Sequence, residues 1–146
     1  MTKTAKLAAG AAIAAGCAVW AMATPAQAAP SSPCSAAARA CVDLSTHQAW
    51  LMRGGVVTYG PVPAMPGSAS APTDPGAFRV TFKDLHHRST IFNNAPMPYS
   101  VFFNGGDAFH EGSLTDPSHG CVHLSRGAAA TFYSSLKPGD VVQVVR

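Results

Sequence analysis

A short polar segment near the end of the sequence gathers side chains that can do nucleophilic chemistry. The stretch HEGSLTDPSHGCVHLS, residues 110 to 125, contains three histidines, three serines and one cysteine. A cysteine becomes a nucleophile when a nearby base takes its proton and backbone donors meet the oxyanion that attack produces. His110 and His119 are the candidate bases for Cys121. The chemistry that this arrangement indicates is thiol attack on an amide or ester carbonyl.

The residues that surround Cys121 also favour a reactive thiol. Gly120 lets the backbone approach a substrate closely, and the amides of Gly120 and Cys121 are candidate oxyanion donors. Ser125 is a candidate N-cap for SRGAAATFYSSL, whose apolar residues have near-helical spacing. Because Cys121 comes shortly before this predicted helix, we expect the helix dipole to favour its thiolate form.

Two other interpretations of the cluster stay open on residue types alone. Cys121 can be a buried, inert cysteine. A zinc site has suitable ligand types in His110, His119, Cys121 and His123, but the spacing contains neither a C-x-x-C pair nor an H-E-x-x-H helix. We therefore expect no metal and no cofactor. We expect His86 and His87 to be solvated loop residues and His47 to be an outward-facing residue of the first hairpin.

The N-terminus has the pattern of a secretory signal peptide. Lys3 and Lys6 form a basic start, residues 7–23 are apolar, and Ala26-Gln27-Ala28 matches a signal peptidase site. We expect cleavage after residue 28, secretion, and no integral membrane segment after processing. A retained anchor is the alternative, although the apolar run is short for a membrane span. Lipid attachment at Cys17 is a second alternative.

Charge and cysteine content limit the possible functions of the processed chain. Removal of residues 1–28 leaves 8 Lys and Arg against 7 Asp and Glu. This near-neutral charge, without a basic cluster, argues against nucleic acid as a partner. Export implies an oxidising compartment, and Cys34 and Cys41 are close enough in sequence to form a disulfide there. Cys121 is then a single free thiol, which is inert, paired between molecules or kept for its reactivity.

Alternating apolar and polar residues predict that the elements around the cluster are mainly β. Val42, Leu44, Trp50 and Met52 alternate before a glycine-rich turn, which predicts a hairpin with these side chains facing a core. FRVTFKDL, YSVFF and VVQVV predict further strands, and the proline-rich residues 61–75 predict an irregular loop. We expect five or six short strands and one late helix. The predicted domain organisation is a signal peptide (1–28), a short linker (29–40) and one domain (41–146).

Five ordered segments resemble the L,D-transpeptidase (YkuD-type) catalytic domain. Ser118-His119-Gly120-Cys121-Val122 reproduces that family's S-H-G-C-hydrophobic signature, with His110 in the place of its first histidine. VDLSTHQAWLMRGG is similar to the opening hairpin, TDPGAF to the T-P-x-G-x-F loop and MPYSVFF to the M-P-Y strand. FYSSLKPGDVVQVV is similar to the closing helix, turn and strand. The resemblance covers residues 41–146.

The resemblance implies a β-sandwich-like fold and an acyl transfer on the cell wall. A tetrapeptide stem of peptidoglycan would acylate the cysteine and release its terminal D-alanine, and an amine on another stem or on a wall protein would then take the acyl group. An L,D-carboxypeptidase and an inactive wall-binding module are the alternatives. A papain-like or NlpC-like peptidase is disfavoured, because its cysteine precedes its histidine, whereas His110 precedes Cys121.

The resemblance also implies which residues carry the reaction. Cys121 would be the nucleophile and His110 the proton donor and acceptor. The backbone carbonyl of Glu111 would orient the His110 ring. His119 and the amides around Gly120 would line the oxyanion side.

The remaining implied roles concern the loop and the substrate. Ser118 would support the S-H-G-C loop, and Tyr99 would border the substrate groove. His123 would contact substrate, and it stands where the family usually has arginine, a stronger and permanently charged group. Only seven residues separate His110 from Ser118, so we expect a more open site.

Overall fold

The computed structural model describes residues 28–146, so most of the predicted signal peptide, including Cys17, lies outside the described residues. Nine strands and one helix form in this part of the chain: β1 (Ala40–Asp43), β2 (Gln48–Arg53), β3 (Val56–Met65), β4 (Gly76–Arg79), β5 (Phe82–Arg88), β6 (Pro96–Asn104), β7 (Asp107–Glu111), β8 (Val122–Leu124), α1 (Arg126–Ser135) and β9 (Val141–Val145). The helix α1 of the described range is not long and apolar enough to cross a membrane. The mainly β class with one late helix is confirmed, with more strands than the five or six expected.

All nine strands belong to one curled sheet of order β4-β9-β1-β2-β3-β8-β7-β6-β5. FRVTFKDL does not form one strand as predicted, because the chain changes partners inside it. The Val80 amide bonds to Asp140 O at 2.9 Å, whereas the next amide, Thr81 N, bonds to Phe102 O at 2.8 Å. Consecutive strands β4 and β5 therefore lie at opposite edges of the sheet. The Phe78 and Phe103 rings, 5.9 Å apart, hold β4 against the face of β6.

The predicted irregular loop 61–75 is wrong in its first part, where β3 continues through two prolines to Met65. Proline lacks an amide hydrogen, so a strand tolerates it at positions whose amide would not bond to the neighbouring strand. Pro61 and Pro63 alternate with residues that do supply amides, and Ala64 N donates to His47 O at 2.9 Å. Beyond this point β3 leaves β2 and pairs with β8, through Ala64 opposite Leu124.

The main core lies between the curled sheet and α1. Phe109, Phe132, Leu124 and Val142 are fully buried in it, and the Phe109 and Phe132 rings are 5.0 Å apart. The helix begins where the sequence predicts, because the Ser125 side chain accepts the Ala128 amide hydrogen as an N-cap. Its packing against β6, β7 and β8 fixes the strands that carry the cysteine and histidine cluster.

A second, smaller core on the outer face of β1 and β2 contains the disulfide. Cys34 and Cys41 are bonded, which confirms the predicted pair. Trp50 and Met52 pack with Cys41 in this cluster, whereas Val42 packs in the main core. The predicted core residues of the hairpin are thus buried on both faces of the sheet, because the N-terminal segment covers the outer one.

Candidate active site

The cluster is assembled by β7 and β8, two short parallel strands that the sequence did not predict. Phe109 pairs with Val122 and His110 with His123. Parallel pairing requires a crossover between the strands, and residues 112–121 provide it. The strand register thereby places the two histidines side by side, with their ring centroids 4.8 Å apart at 72°.

Cys121 lies just before β8, against the turn that joins β6 to β7. Its thiol donates to the carbonyl oxygen of Gly106 at 3.7 Å, and the Ala108 amide also bonds to the sulfur. Burial, as the largest effect, raises the pKa of the Cys121 thiol to about 11, and the nearby charge of Asp107 acts in the same direction. Cys121 is therefore a protonated thiol at neutral pH.

The expectation that the helix dipole favours a thiolate is wrong. Strand β8 separates Cys121 from α1, which begins at Arg126, and dipole effects fall off within the first turn of a helix. Removal of the thiol from water outweighs the remaining favourable contact with the Ala108 amide.

His110 is buried, with 6% of its surface exposed. Its Nδ1 lies 2.8 Å from the carbonyl oxygen of Glu111. A carbonyl can only accept, so Nδ1 carries the hydrogen and Nε2 keeps a free lone pair. Burial, as the largest effect, lowers the pKa of His110 to about 4. The residue is thus a neutral imidazole whose free nitrogen can accept a proton.

The S-H-G-C loop is held by Ser118 from within. Its hydroxyl donates to the carbonyl oxygen of Cys121 and accepts the Gly120 amide hydrogen at 3.1 Å. Ser118 was expected to support this loop, and both of its side-chain hydrogen bonds lie within it. The Gly120 amide is occupied by this bond, however, which corrects its expected place as an oxyanion donor.

The segment between β3 and β4 holds the same loop from outside. Thr73, which is 1% exposed, donates its hydroxyl hydrogen to the Gly120 carbonyl at 2.7 Å. The same hydroxyl accepts from the Gly67 amide at 2.9 Å. Ser68 and Ser118 add a backbone bond of 3.0 Å. Thr73 was not predicted as a site residue, although it begins the TDPGAF segment that resembles the family's T-P-x-G-x-F loop.

A cavity of about 430 Å³ joins these residues. Cys121, His110, His119 and His123 all line it, together with the apolar side chains of Phe92 and Met97. The ring of His119 is exposed and packs 4.5 Å from the ring of Phe92. His119 therefore lies at the rim of the pocket, on the side of the β5–β6 connection.

His123 lies deeper in the pocket, beside the proposed base. Its Nδ1 is 3.0 Å from the carbonyl oxygen of Ser113, so this nitrogen also carries a hydrogen. Gly112 lies under the ring: a methyl group there would come within 2.6 Å of it. His123, which stands where the family usually has arginine, is thus a neighbour of His110 and also lines the cavity.

Tyr99 is the residue that was predicted to border the substrate groove. It does not line the pocket, and its ring packs 6.1 Å from that of Tyr133 with the Arg126 guanidinium above it. Its φ of +61° is unusual for a strand residue, and Met97 of the same strand lines the pocket. Strand alternation alone does not reveal this turn.

Metal-binding geometry is lacking in residues 28–146, where no group of three or more His, Cys, Asp or Glu side chains is arranged to hold an ion. His110, His119, Cys121 and His123 share a pocket but do not converge on one point. The zinc interpretation therefore has no ligand set in the described part of the chain.

Comparison with known families gives this site its context. The YkuD family model, described as the L,D-transpeptidase catalytic domain, matches residues 37–144. The chain belongs to this family. The match contains every residue of the site described above, from Thr73 to His123. A comparison with curated protein sequences found no match.

Solved L,D-transpeptidase structures have the same fold. One from Stackebrandtia nassauensis is 31% identical, with a TM-score of 0.70 over 73% of this chain and 54% of that one. One from Xylanimonas cellulosilytica is 25% identical, with a TM-score of 0.69 over 79% and 63%. A third, solved in complex with imipenem, is 25% identical, with a TM-score of 0.66 over 73% and 57%. The chain spans about half to three fifths of the length of these L,D-transpeptidases.

Proposed function

We propose that this protein is a cysteine-dependent L,D-transpeptidase that crosslinks peptidoglycan stems. Membership of the family supports the reaction class. The observation that carries the proposal is the His110 ring: its Nδ1 hydrogen is held by the Glu111 carbonyl, and its basic nitrogen is left free in the pocket that Cys121 lines. This arrangement suits a neutral base that takes the thiol proton as sulfur attacks.

The proposed first half-reaction forms an acyl-enzyme. The Cys121 sulfur attacks the carbonyl that precedes the terminal D-alanine of a tetrapeptide stem, and the thiol proton moves to His110. The C–N bond then breaks, and His110 returns the proton to the leaving amine of D-alanine. The Cys121 amide and the His119 ring are the candidate donors to the oxyanion, because Ser118 occupies the Gly120 amide.

The proposed second half-reaction resolves the thioester. An amine on a neighbouring stem, or on a wall protein, attacks the carbonyl and gives a proton to His110, which passes it to the sulfur as the C–S bond breaks. Water in the place of the amine gives the carboxypeptidase reaction.

Incubation of the purified protein with a disaccharide-tetrapeptide, followed by mass spectrometry, tests the proposal. We expect a crosslinked dimer with loss of one D-alanine. Tripeptide without dimer would replace the proposal with carboxypeptidation, and unchanged substrate would overturn both. A carbapenem should form a mass adduct on Cys121, a test suggested by the imipenem complex of the relative.

Variants of the two central residues identify the nucleophile and the base. Cys121→Ser should abolish D-alanine release, and His110→Ala should slow it by about 10² to 10⁴-fold, the usual contribution of a positioned base. His86→Ala is the matched control, since this exposed histidine of β5 does not line the pocket. Full activity of Cys121→Ser would show that the nucleophile is misassigned.

We also propose that residues 1–28 are removed and that the protein acts outside the membrane, at the cell wall. The Cys34–Cys41 disulfide supports this, because such bonds persist in oxidising compartments. The intact mass of the protein from the culture medium tests it. A chain that begins at Ala29 is expected, and a lipid-modified chain that begins at Cys17 would contradict it.

A further inference from the structure

The side chain of Asp107 has no part in the proposed half-reactions, yet it lines the same pocket as Cys121. It is the first residue of β7, immediately after the turn whose Gly106 carbonyl accepts from the thiol. Its Oδ1 lies so close to Gly120 that a methyl group there would be 2.2 Å away. Gly120, with φ +121°, therefore makes room for this carboxyl group beside the nucleophile.

The position of Asp107 is unfavourable for the first half-reaction. Its charge contributes to the raised pKa of the Cys121 thiol, and a negative charge beside a developing oxyanion opposes acylation. Burial also raises the pKa of Asp107 itself, with a further contribution from Asp74 and an opposing hydrogen bond from Asn104. Within residues 28–146 no Lys, Arg or His forms an ion pair with it.

The Asp107 carboxylate is partly buried and forms no ion pair within the described chain. Such a group is suited to bind a cationic ligand. The acceptor of the second half-reaction is a primary amine, which reaches the pocket as an ammonium ion at neutral pH. The acyl donor, in contrast, presents a neutral amide at the reacting carbonyl. Asp107 thus distinguishes the two reacting groups, an ammonium and a neutral amide, by charge.

We propose that Asp107 binds the ammonium group of the acyl acceptor and thereby directs the thioester towards aminolysis instead of hydrolysis. This inference rests on the proposed acyl transfer and adds the specificity of its second step. The ammonium loses one proton to solvent, and its nitrogen forms a bond to the carbonyl carbon. His110 takes the second proton as the C–S bond breaks and returns it to the sulfur, which leaves with the bonding electron pair.

Competition between two nucleophiles for the same acyl-enzyme tests the inference. The tetrapeptide donor is supplied with an amine-bearing acceptor stem and with hydroxylamine, which is largely uncharged at neutral pH, and amide and hydroxamate products are measured by mass spectrometry. For Asp107→Asn we expect the ratio of amide to hydroxamate to fall at least about tenfold, the effect of losing a charge-assisted hydrogen bond. D-alanine release should become faster, because the charge that opposes thiol ionisation is gone.

A lower amide-to-hydroxamate ratio together with faster D-alanine release indicates a role in acceptor binding. A purely structural role would instead slow both D-alanine release and amide formation. Asp116→Asn is the matched control, since this exposed aspartate bonds to Ser113 and does not line the pocket. Asp107→Ser, which is smaller, gives the same readout if the asparagine variant does not fold. An unchanged product ratio overturns the inference alone, whereas absence of D-alanine release from the unmodified protein overturns the proposed function as well.

Discussion

The imidazole of His110 is buried and the thiol of Cys121 is half-buried, and burial is the largest influence on each pKa. The pKa of the base is about 4 and that of the thiol about 11, so neither group is charged at neutral pH. A preformed thiolate–imidazolium pair is therefore disfavoured in the free protein. In the proposed reaction, proton transfer to His110 would therefore accompany sulfur attack, when the carbonyl begins to share the charge.

We predict an unusually low acid limit for the activity. Only neutral His110 can accept the thiol proton, so kcat/KM for D-alanine release should fall at about pH 4 and not near the ordinary histidine value of 6.5. His123→Gln should move this limit to higher pH, since the charge of His123 contributes to the lowered pKa of His110. The pH profiles of the parent and of His123→Gln, recorded with a fluorescence check of folding, measure the two acid limits. A limit near pH 6.5 in the parent would contradict the lowering of the His110 pKa by burial.

At the scale of elements, the S-H-G-C loop depends on a segment that is distant in sequence. Thr73, in the segment between β3 and β4, holds the loop through its hydroxyl group. This hydroxyl donates to the Gly120 carbonyl and accepts from the Gly67 amide. Ser118 holds the same loop from within. Backbone groups of the loop therefore have hydrogen-bond partners both within the loop and in the β3–β4 connection.

We predict that Thr73→Val lowers both stability and activity. The new methyl group fits the volume of the hydroxyl but leaves a buried donor and a buried acceptor without partners, which should cost about 2 to 4 kcal/mol of the free energy of unfolding. Thr73→Ser keeps the hydroxyl and is the matched control, with an expected loss of about 1 kcal/mol for the methyl group. Urea unfolding and the rate of D-alanine release measure the two variants, and equal effects would exclude the hydrogen bonds as the cause.

At the scale of the whole molecule, the sheet curls around one helix, and the disulfide fastens the N-terminal segment to its outer face. Cys34 also lies 3.5 Å from the carbonyl oxygen of Gln143 in β9, and Ser35 N bonds to the Gln143 side chain at 2.8 Å. The bridge thus closes a short loop and covers the second core of Trp50 and Met52.

We predict that the double variant Cys34→Ala, Cys41→Ala remains folded but is less stable. The bridge joins residues seven positions apart, and loop-closure entropy for this length gives about 2.5 kcal/mol. Thermal unfolding of the variant and of the oxidised parent measures the difference. Thiol counting on the denatured, unreduced parent should find only Cys121 in the processed chain, and three thiols would refute the bridge.

Local patterns in the sequence were sufficient for several features. The S-H-G-C signature located the site in a known family, Ser125 marked the start of α1, and the short spacing of Cys34 and Cys41 indicated their bond. Each of these depends on residues that are neighbours in the chain, so its physical cause is visible in a short window.

Long-range pairing decided the rest. Strand β3 passes through prolines, FRVTFKDL divides between two edges of the sheet, and parallel β7 and β8 bring His110 beside His123. Alternation of apolar and polar residues indicates which side chains of a strand face the core, but it does not indicate which strand lies next to it. The pKa values of His110 and Cys121, and the positions of Thr73, Tyr99 and Asp107, follow from that packing. The sequence therefore determined which reactive groups this protein has, and only the tertiary structure determined their protonation and their neighbours.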